Sequence, residues 1–251
     1  MIRLLLMVLL IVPVTGWYVV RILWAVYTNA PNRRCVCEWV PRKWAQVLCR
    51  IAGARVVLEN ESAIDADVAQ ILVANHASWF DVLALAGYTP GRYCFVAKKE
   101  VAKVPGFGRA VRVCGHIYID REDHKKAVAS MQVVREKLEK ERPTVIMFPE
   151  GTRSATGELQ RFKKGAFVLA IQTGADIVPT AIVGSRQVMR KHSLLIHAGT
   201  VTIRFGDPIP VAALGLEQRD ELMVNARERL QRLLAAPVKS PDNETENRRG
   251  G

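Results

Sequence analysis

The chain has 251 residues, of which 49% are hydrophobic, and its 36 basic against 24 acidic side chains give a net charge of +12. This length is enough for one large α/β domain or two small ones, and the basic balance is compatible with nucleic acid, anionic lipid or a phosphorylated substrate. The five cysteines are odd in number and form no C-x-x-C pair. They therefore argue against a disulfide framework or a zinc ribbon, fit a reducing compartment, and are interpreted mostly as small apolar residues.

The N-terminal segment is apolar enough to enter a membrane. Residues 4–20 carry no charge, and 17 helical residues span about 26 Å, slightly less than a hydrocarbon core of roughly 30 Å. Continuing past Arg21 to Tyr27 lengthens the helix to about 36 Å. The alternative is a cleaved signal peptide. It is weakened by the single basic residue before the apolar run, by the absence of a small-x-small cleavage site, and by the apolar sequence that resumes after Arg21.

A second amphipathic helix is predicted over residues 36–52, with Trp39 and Trp44 near its polar boundary. The two helices form a hairpin that either spans the membrane or dips into one leaflet. An ordinary helix packed on the following domain is the alternative for the second one. Residues 1–60 carry eight basic and two acidic side chains beside very apolar sequence, which favours a membrane surface over DNA.

From residue 53 onward, strand-like and helix-like segments alternate. Seven short runs rich in Val, Ile, Phe and Tyr are predicted strands: ARVVLEN, QILVANH, RYCFVAK, HIYID, TVIMFPE, DIVPTAIVG and VTIRFG. Helices are predicted over 124–142, over KKGAFVLAIQTG and over 215–235. The fold class is therefore α/β, a mixed sheet flanked by helices. We divide the chain into a hairpin (1–52), an α/β domain (53–236) and a disordered tail (237–251).

The stretch NHASWFD, residues 75–81, places a His and an Asp five residues apart where a strand ends. On one helix the two side chains would point roughly 140° apart and would share no site. If His76 lies in the turn and Asp81 lies in the first turn of the next helix, the carboxylate reaches the imidazole. Ser78 and Asp81 have the spacing of a capping box, so Asp81 is alternatively a simple helix cap.

Three further loops follow strands or carry clustered cations. FPEGTRS (148–154) follows the strand TVIM, GHIYIDR (115–121) ends in Arg121, and RFKKG (161–165) is basic. Ligand sites of open α/β sheets lie beyond the carboxyl ends of the strands. These loops are therefore expected to converge with NHASWFD at one edge, offering a base, an acidic partner and several cations.

The motifs NHASWFD, GHIYIDR, FPEGTRS and IVPTAIVG, in this order, resemble those of the glycerolipid acyltransferases and, more narrowly, the bacterial 1-acyl-sn-glycerol-3-phosphate acyltransferases. The resemblance covers about residues 35–210 and implies their fold, a glycerol-phosphate acyltransferase-like α/β domain behind a membrane-associated helical hairpin. It implies that His76 is a general base and Asp81 its partner. It also implies a set of substrate-binding residues: Lys98, Arg121, Glu150, Gly151, Thr152 and Arg153. Lys99 is an alternative to Lys98, Glu150 is expected to bind a glycerol hydroxyl, and the Gly151 backbone is expected to face an oxyanion.

The implied reaction transfers a fatty acyl group from acyl-CoA or acyl-carrier protein to the sn-2 hydroxyl of lysophosphatidic acid, with no metal and no cofactor. The expected partners are the bilayer and these substrates, not nucleic acid, and the expected location is the cytoplasmic face of the inner membrane. Three alternatives stay open: another lysolipid or glycerol 3-phosphate as acceptor, an acyl-enzyme on Cys94 or Cys114, and a non-catalytic basic protein that binds membrane surfaces.

Overall fold

The structure is a computed structural model that describes residues 2–120 and 123–237. Its centre is a seven-stranded mixed sheet with the strand order β1-β7-β6-β2-β5-β3-β4. The strands are β1 (Ala54–Glu59), β2 (Gln70–Ala74), β3 (Tyr93–Lys98), β4 (Ile117–Ile119), β5 (Thr144–Met147), β6 (Asp176–Val183) and β7 (Gly199–Phe205). All seven predicted strands are confirmed.

Strand direction divides the sheet into two parts. Strands β6, β2, β5, β3 and β4 are parallel, whereas β7 is antiparallel to β6 and β1 is parallel to β7. The five parallel strands therefore end at one common edge, which we call the carboxyl edge. The sheet is mixed, as predicted.

Eight helices flank the sheet within the described residues. They are α1 (Ile2–Tyr27), α2 (Arg33–Ala52), α3 (Trp79–Tyr88), α4 (Phe107–Val113), α5 (His124–Glu141), α6 (Gly165–Thr173), α7 (Ser185–Val188) and α8 (Arg219–Ala235). The predicted hairpin and the three predicted helices of the α/β region are confirmed. Helix α4 was not predicted, because Gly108 inside it and Gly106 before it disfavour a helix. Gly108 is nevertheless required, since a Cβ there would lie 2.3 Å from the Ala102 carbonyl oxygen.

The apolar core lies on both faces of the sheet. Strand β2 is buried along its whole length, with Leu72 in the cluster beneath α2 and α3 and Ile71 in the cluster beneath α5, α6 and α8. Successive side chains of a strand point to opposite faces, so a strand that is covered on both faces has an unbroken apolar sequence. This accounts for the run ILVA before the first motif.

Helix α2 fixes the N-terminal hairpin to this core. Its Leu48 side chain is only 1% exposed and lies in the same cluster as α3, and its Trp44 indole N–H donates to the Thr15 hydroxyl of α1 at 3.0 Å. The side chains of Leu9–Tyr27 in α1, in contrast, are mostly exposed or half-buried. This segment is, by length and composition, long and apolar enough to cross a membrane, and it is the one such helix in the described residues.

The interpretation of the cysteines was wrong for two of them. Cys37 near the start of α2 and Cys114 after α4 form a disulfide, with their Cα atoms 4.9 Å apart. Their separation of 77 residues hides this proximity in the sequence, because it arises only when α4 packs against the hairpin. Cys49 and Cys94 are buried free thiols, as expected of small apolar residues, and Cys35 is exposed.

Candidate active site

Two of the predicted motifs meet at the carboxyl edge because they follow neighbouring strands. NHASWFD follows β2 and FPEGTRS follows β5, and these strands are paired in parallel with Val73 opposite Met147. Asn75 fixes the first loop to β6, since its side chain accepts from the Ile182 N–H at 2.7 Å and donates to the Ile182 carbonyl at 3.0 Å. The first loop is therefore held between the two strands that flank β2.

His76 and Asp81 form the predicted pair. The His76 Nδ1 atom lies 2.8 Å from the Asp81 Oδ2 atom, and the Asp81 side chain is fully buried. The same Oδ2 atom also accepts the backbone N–H groups of Ala77 at 2.6 Å and Ser78 at 2.8 Å. Asp81 thus caps helix α3 in a capping box with Ser78 and contacts the imidazole as well. Both contacts that the sequence predicted for Asp81 are therefore present.

This contact sets the chemistry of the imidazole. In a neutral imidazole, a carboxylate that accepts at Nδ1 selects the tautomer with its proton on Nδ1, which leaves Nε2 as the basic nitrogen. The ring stacks on Phe148, with centroids 4.1 Å apart and planes inclined by 20°, and 15% of its side chain remains exposed. An oriented imidazole with one accessible basic nitrogen is suited to general-base catalysis.

The FPEGTRS motif holds the backbone of His76 from both sides. The Glu150 Oε1 atom accepts the His76 N–H at 2.7 Å, and the Ser154 N–H donates to the His76 carbonyl at 2.7 Å. The other Glu150 oxygen accepts the Gln160 N–H at 3.0 Å. Burial raises the pKa of the Glu150 carboxyl, while these backbone hydrogen bonds act to lower it.

This geometry gives Glu150 and Gly151 structural roles that the sequence did not predict. Each Glu150 oxygen accepts a backbone N–H of its own protein, so this carboxylate orders the two loops. The Gly151 N–H donates to the Phe148 carbonyl at 3.0 Å and is not directed at an oxyanion. Gly151 has φ +74, and a Cβ there would lie 2.8 Å from the Lys163 side chain, so turn geometry explains the glycine.

The predicted phosphate-binding cations have different surroundings. The half-buried Arg153 guanidinium lies 4.8 Å from the centre of the Trp79 ring. Arg153 directly precedes Ser154, whose N–H donates to the His76 carbonyl. Lys98 is 53% exposed and lies 3.4 Å from Glu100, whereas the alternative Lys99 pairs with Asp120 at 2.8 Å. Thr152 is exposed on the FPEGTRS loop. Arg121 lies outside the described residues.

The two cysteines considered as covalent nucleophiles are poorly suited to that role. Cys94 is fully buried, and burial raises the pKa of its thiol to about 12. Cys114 is part of the disulfide. A thiolate is the reactive form of cysteine, so neither residue favours an acyl-enzyme.

Comparison with known proteins agrees with this site. The profile of the acyltransferase family matches residues 55–183, which include His76, Asp81 and the whole FPEGTRS motif. The chain belongs to the acyltransferase family. The resemblance seen in the four motifs is thereby confirmed.

Individual relatives of this acyltransferase extend the agreement. It is 37% identical over 167 residues to the 1-acyl-sn-glycerol-3-phosphate acyltransferase of Helicobacter pylori, covering 66% of this chain and 65% of the relative. It is 34% identical over 164 residues to the enzyme of the same name from Cocos nucifera, covering 65% of this chain and 53% of that relative. The chain thus spans about half to two thirds of the length of these curated relatives.

A solved structure covers nearly the whole acyltransferase chain. The crystal structure of the 1-acyl-sn-glycerophosphate (LPA) acyltransferase PlsC from Thermotoga maritima superposes with a TM-score of 0.79 at 25% identity, over 95% of this chain and 97% of that one. The predicted fold, including the N-terminal helices, is thereby confirmed.

Three residues of the acyltransferase site were missed as individual contributors. Phe148 stacks on the imidazole, Ser154 holds the His76 carbonyl, and Trp79 lies under Arg153. All three stand inside the quoted motifs, so their presence was visible in the sequence. Their contacts depend on how two loops from separate strands meet, which the sequence does not specify.

Proposed function

We propose that the protein transfers a fatty acyl group from an acyl thioester to the sn-2 hydroxyl of 1-acyl-sn-glycerol 3-phosphate, giving phosphatidic acid. The observation that carries this proposal is the 2.8 Å contact between His76 and a fully buried Asp81, next to the FPEGTRS loop that carries Arg153. The family membership supports acyl transfer as the reaction class, and the printed names of the relatives support this acceptor.

In this mechanism, Nε2 of His76 removes the proton of the acceptor hydroxyl as its oxygen attacks the thioester carbonyl. The new C–O bond forms, the C–S bond breaks, and the thiolate leaves. A positioned base contributes about 10²–10⁴-fold to such a step. A thiol with a pKa of about 8.5 leaves readily as an anion, so a second acidic group is unnecessary. Asp81 keeps the proton on Nδ1 and stabilises the imidazolium that forms.

The acceptor phosphate would be bound by cations at the mouth of the site. Arg153 provides a planar pair of donors for phosphate oxygens, and its position over the Trp79 ring orients it beside the first motif. Lys98, at the end of β3, provides a further exposed charge at the same edge of the sheet. These residues support a phosphate-bearing acceptor over an uncharged one. No cofactor is part of the proposal.

The proposed location rests on helix α1 and on the substrates. The apolar helix would hold the protein at the inner membrane, with the site at the cytoplasmic face, where acyl-CoA or acyl-carrier protein is available. Both the acceptor and the acyl chain partition into the bilayer. A site held at its surface receives them without complete removal of their tails from the membrane.

The test uses the full chain purified in detergent, with lysophosphatidic acid and each thioester donor in turn. We expect phosphatidic acid with at least one donor, and a loss of about 10²–10⁴-fold in turnover for His76→Ala. His197→Ala is the matched control, because that histidine is exposed and, among the described residues, its one hydrogen bond is from its backbone N–H to the Val188 carbonyl. If product forms from glycerol 3-phosphate or another lysolipid and not from lysophosphatidic acid, the proposed acceptor is wrong. A His76→Ala variant with full turnover would refute catalysis by this residue.

A further inference from the structure

A ten-residue loop lies against the candidate active site without a role in the proposed chemistry. This loop, residues 189–198, connects α7 to β7. The Ser78 hydroxyl donates to the Met189 carbonyl at 2.8 Å, and the Lys191 ammonium donates to the Arg153 carbonyl at 2.7 Å. The loop is therefore fixed to both catalytic motifs at the carboxyl edge of the sheet.

The tip of the 189–198 loop presents large apolar side chains to solvent. Leu194 is 72% exposed and Leu195 is 52% exposed, while the next residue, Ile196, is buried in the core and anchors the loop. Trp79, which follows Ser78, is also 52% exposed. Adjacent exposed apolar side chains next to a functional site indicate a contact surface.

The charged residues near these leucines in the sequence have one sign. No Asp or Glu occurs between residues 177 and 206, whereas Arg186, Arg190 and Lys191 precede the leucines. Arg190 is exposed. Basic side chains beside exposed leucines match the surface of an anionic bilayer, where phosphates lie above the acyl chains.

The 189–198 loop also lies at the same end of the molecule as the start of helix α1. The loop runs directly into Gly199, whose N–H donates to the Gly53 carbonyl at 3.2 Å, just beyond the last residue of α2. Trp44 of α2 faces Thr15 of α1. The two helices are antiparallel. From this contact, the eight residues to the end of α2 at Ala52 and the eight residues back along α1 to Met7 each cover about 12 Å in the same direction.

This count brings the first turns of α1 level with the end of α2, and Met7 is indeed buried in the core cluster that contains Leu48. The exposed side chains Leu9 and Val12, at 60% and 73%, therefore lie near the level of the loop. Apolar surface from two separate parts of the chain faces solvent at the end of the molecule that carries the site.

We propose that the 189–198 loop is a second lipid-binding element, with Leu194 and Leu195 inserted into the headgroup region of an anionic bilayer and Arg190 beside the lipid phosphates. It would direct the carboxyl edge of the sheet, and with it His76, toward the membrane. The neighbouring apolar surface of α1 favours a bilayer over an acidic protein as the occupant.

The test measures the depth of a nitroxide on the full-length protein. Leu194→Cys is made in a Cys35→Ser background, labelled, and bound to vesicles of phosphatidylglycerol and phosphatidylcholine. The matched control is Leu216→Cys, which is 50% exposed in the wild-type side chain. It follows Val211, whose N–H donates to Asp176 at the start of β6, so it lies toward the opposite edge of the sheet.

We expect the nitroxide at position 194 to become more accessible to oxygen than to a water-soluble nickel chelate on vesicles, and the nitroxide at 216 to stay accessible to the chelate. Equal accessibility of both positions to the chelate would overturn the proposal. So would a label at 194 that is shielded only when an acidic acyl-carrier protein is added, since this result would assign the loop to a protein partner.

A second readout rests on the proposed acyl transfer and is separable from the first. The double substitution Leu194→Ser with Leu195→Ser is expected to lower turnover of long-chain acceptor in vesicles by at least about tenfold, while a water-soluble short-chain acceptor is used normally. Leu216→Ser is the control. An equal loss of turnover with both acceptors would contradict membrane docking. If the wild type shows no turnover, the proposed function is refuted, but the nitroxide result still tests membrane docking.

Discussion

Replacing Asp81 by Asn separates its two roles, because the amide keeps the shape of the side chain and removes its charge. The Asn carbonyl oxygen can still accept from Ala77, Ser78 and the Nδ1–H of His76, which all converge on the Oδ2 atom of Asp81. The cap and the tautomer are therefore retained. The stabilisation of a positively charged imidazole by the carboxylate is lost.

The size of the effect follows from the geometry. With Nδ1 and Oδ2 2.8 Å apart, the centres of the two delocalised charges lie farther apart than the bonded atoms. At about 4 Å and an effective dielectric constant of about 20, two unit charges interact with about 4 kcal/mol. At about 1.36 kcal/mol for each factor of ten, turnover is expected to fall by about 10³-fold.

Stability is expected to change less. The Asp81 Oδ1 atom is buried and has no hydrogen-bond partner in the described part of the chain, so an amide NH₂ placed there is unsatisfied. An unsatisfied buried donor costs about 1–3 kcal/mol in the free energy of unfolding.

The assay compares kcat and chemical unfolding of Asp81→Asn with those of Asp123→Asn. Asp123 caps α5 by accepting the Lys126 N–H at 3.1 Å. We expect the control to keep its kcat, because its change affects only a helix cap. If Asp81→Asn lost stability but retained kcat, Asp81 would be a helix cap alone, and the reasoning about the imidazolium would be refuted.

Three further predictions concern the surroundings of this pair. Glu150→Gln replaces one acceptor by a donor facing a backbone N–H, so both kcat and the midpoint of chemical unfolding should fall, whereas the exposed Glu158→Gln should change neither. Arg153→Ala should raise KM for lysophosphatidic acid by about 10–100-fold, from a loss of about 1.5–3 kcal/mol, but not for a monoacylglycerol without phosphate; equal effects in steady-state assays would argue against phosphate binding. Burial lowers the pKa of His116 from 6.5 to about 4, and its Nδ1 accepts the Phe95 N–H. Because the unfolded chain then binds the proton more tightly, the free energy of unfolding should fall by about 3 kcal/mol as the pH drops from about 6.5 to about 4. The substitution His116→Asn should reduce this slope in denaturant titrations.

Much of the fold was predictable because its signals are local. Strands such as QILVA are short apolar runs bounded by turn residues, and helix α6 ends at Gly174 with the left-handed backbone expected there. The His76–Asp81 pair was predictable as well, since a six-residue segment with a capping box determines its own geometry. Convergence of the two motif loops followed from the parallel arrangement of their strands.

The remaining features depend on contacts between distant parts of the chain. Glu150 looks like a substrate ligand in the sequence, but the His76 N–H that it binds lies 74 residues earlier. The pairing of Cys37 with Cys114 likewise requires the packing of α4 against the hairpin. In both cases the residue type was visible in the sequence, but the residue that it contacts was not, because that contact is set by tertiary packing.

The most direct measurement of the central claim is chemical rescue of His76→Ala by free imidazole. Removing the ring leaves a space bounded by Phe148 and the Asp81 carboxylate, both of which contacted it. We predict that turnover of lysophosphatidic acid falls by about 10²–10⁴-fold and then rises with the concentration of unprotonated imidazole, while the control His197→Ala gains nothing. A folded His76→Ala variant that keeps wild-type turnover without imidazole would contradict the account.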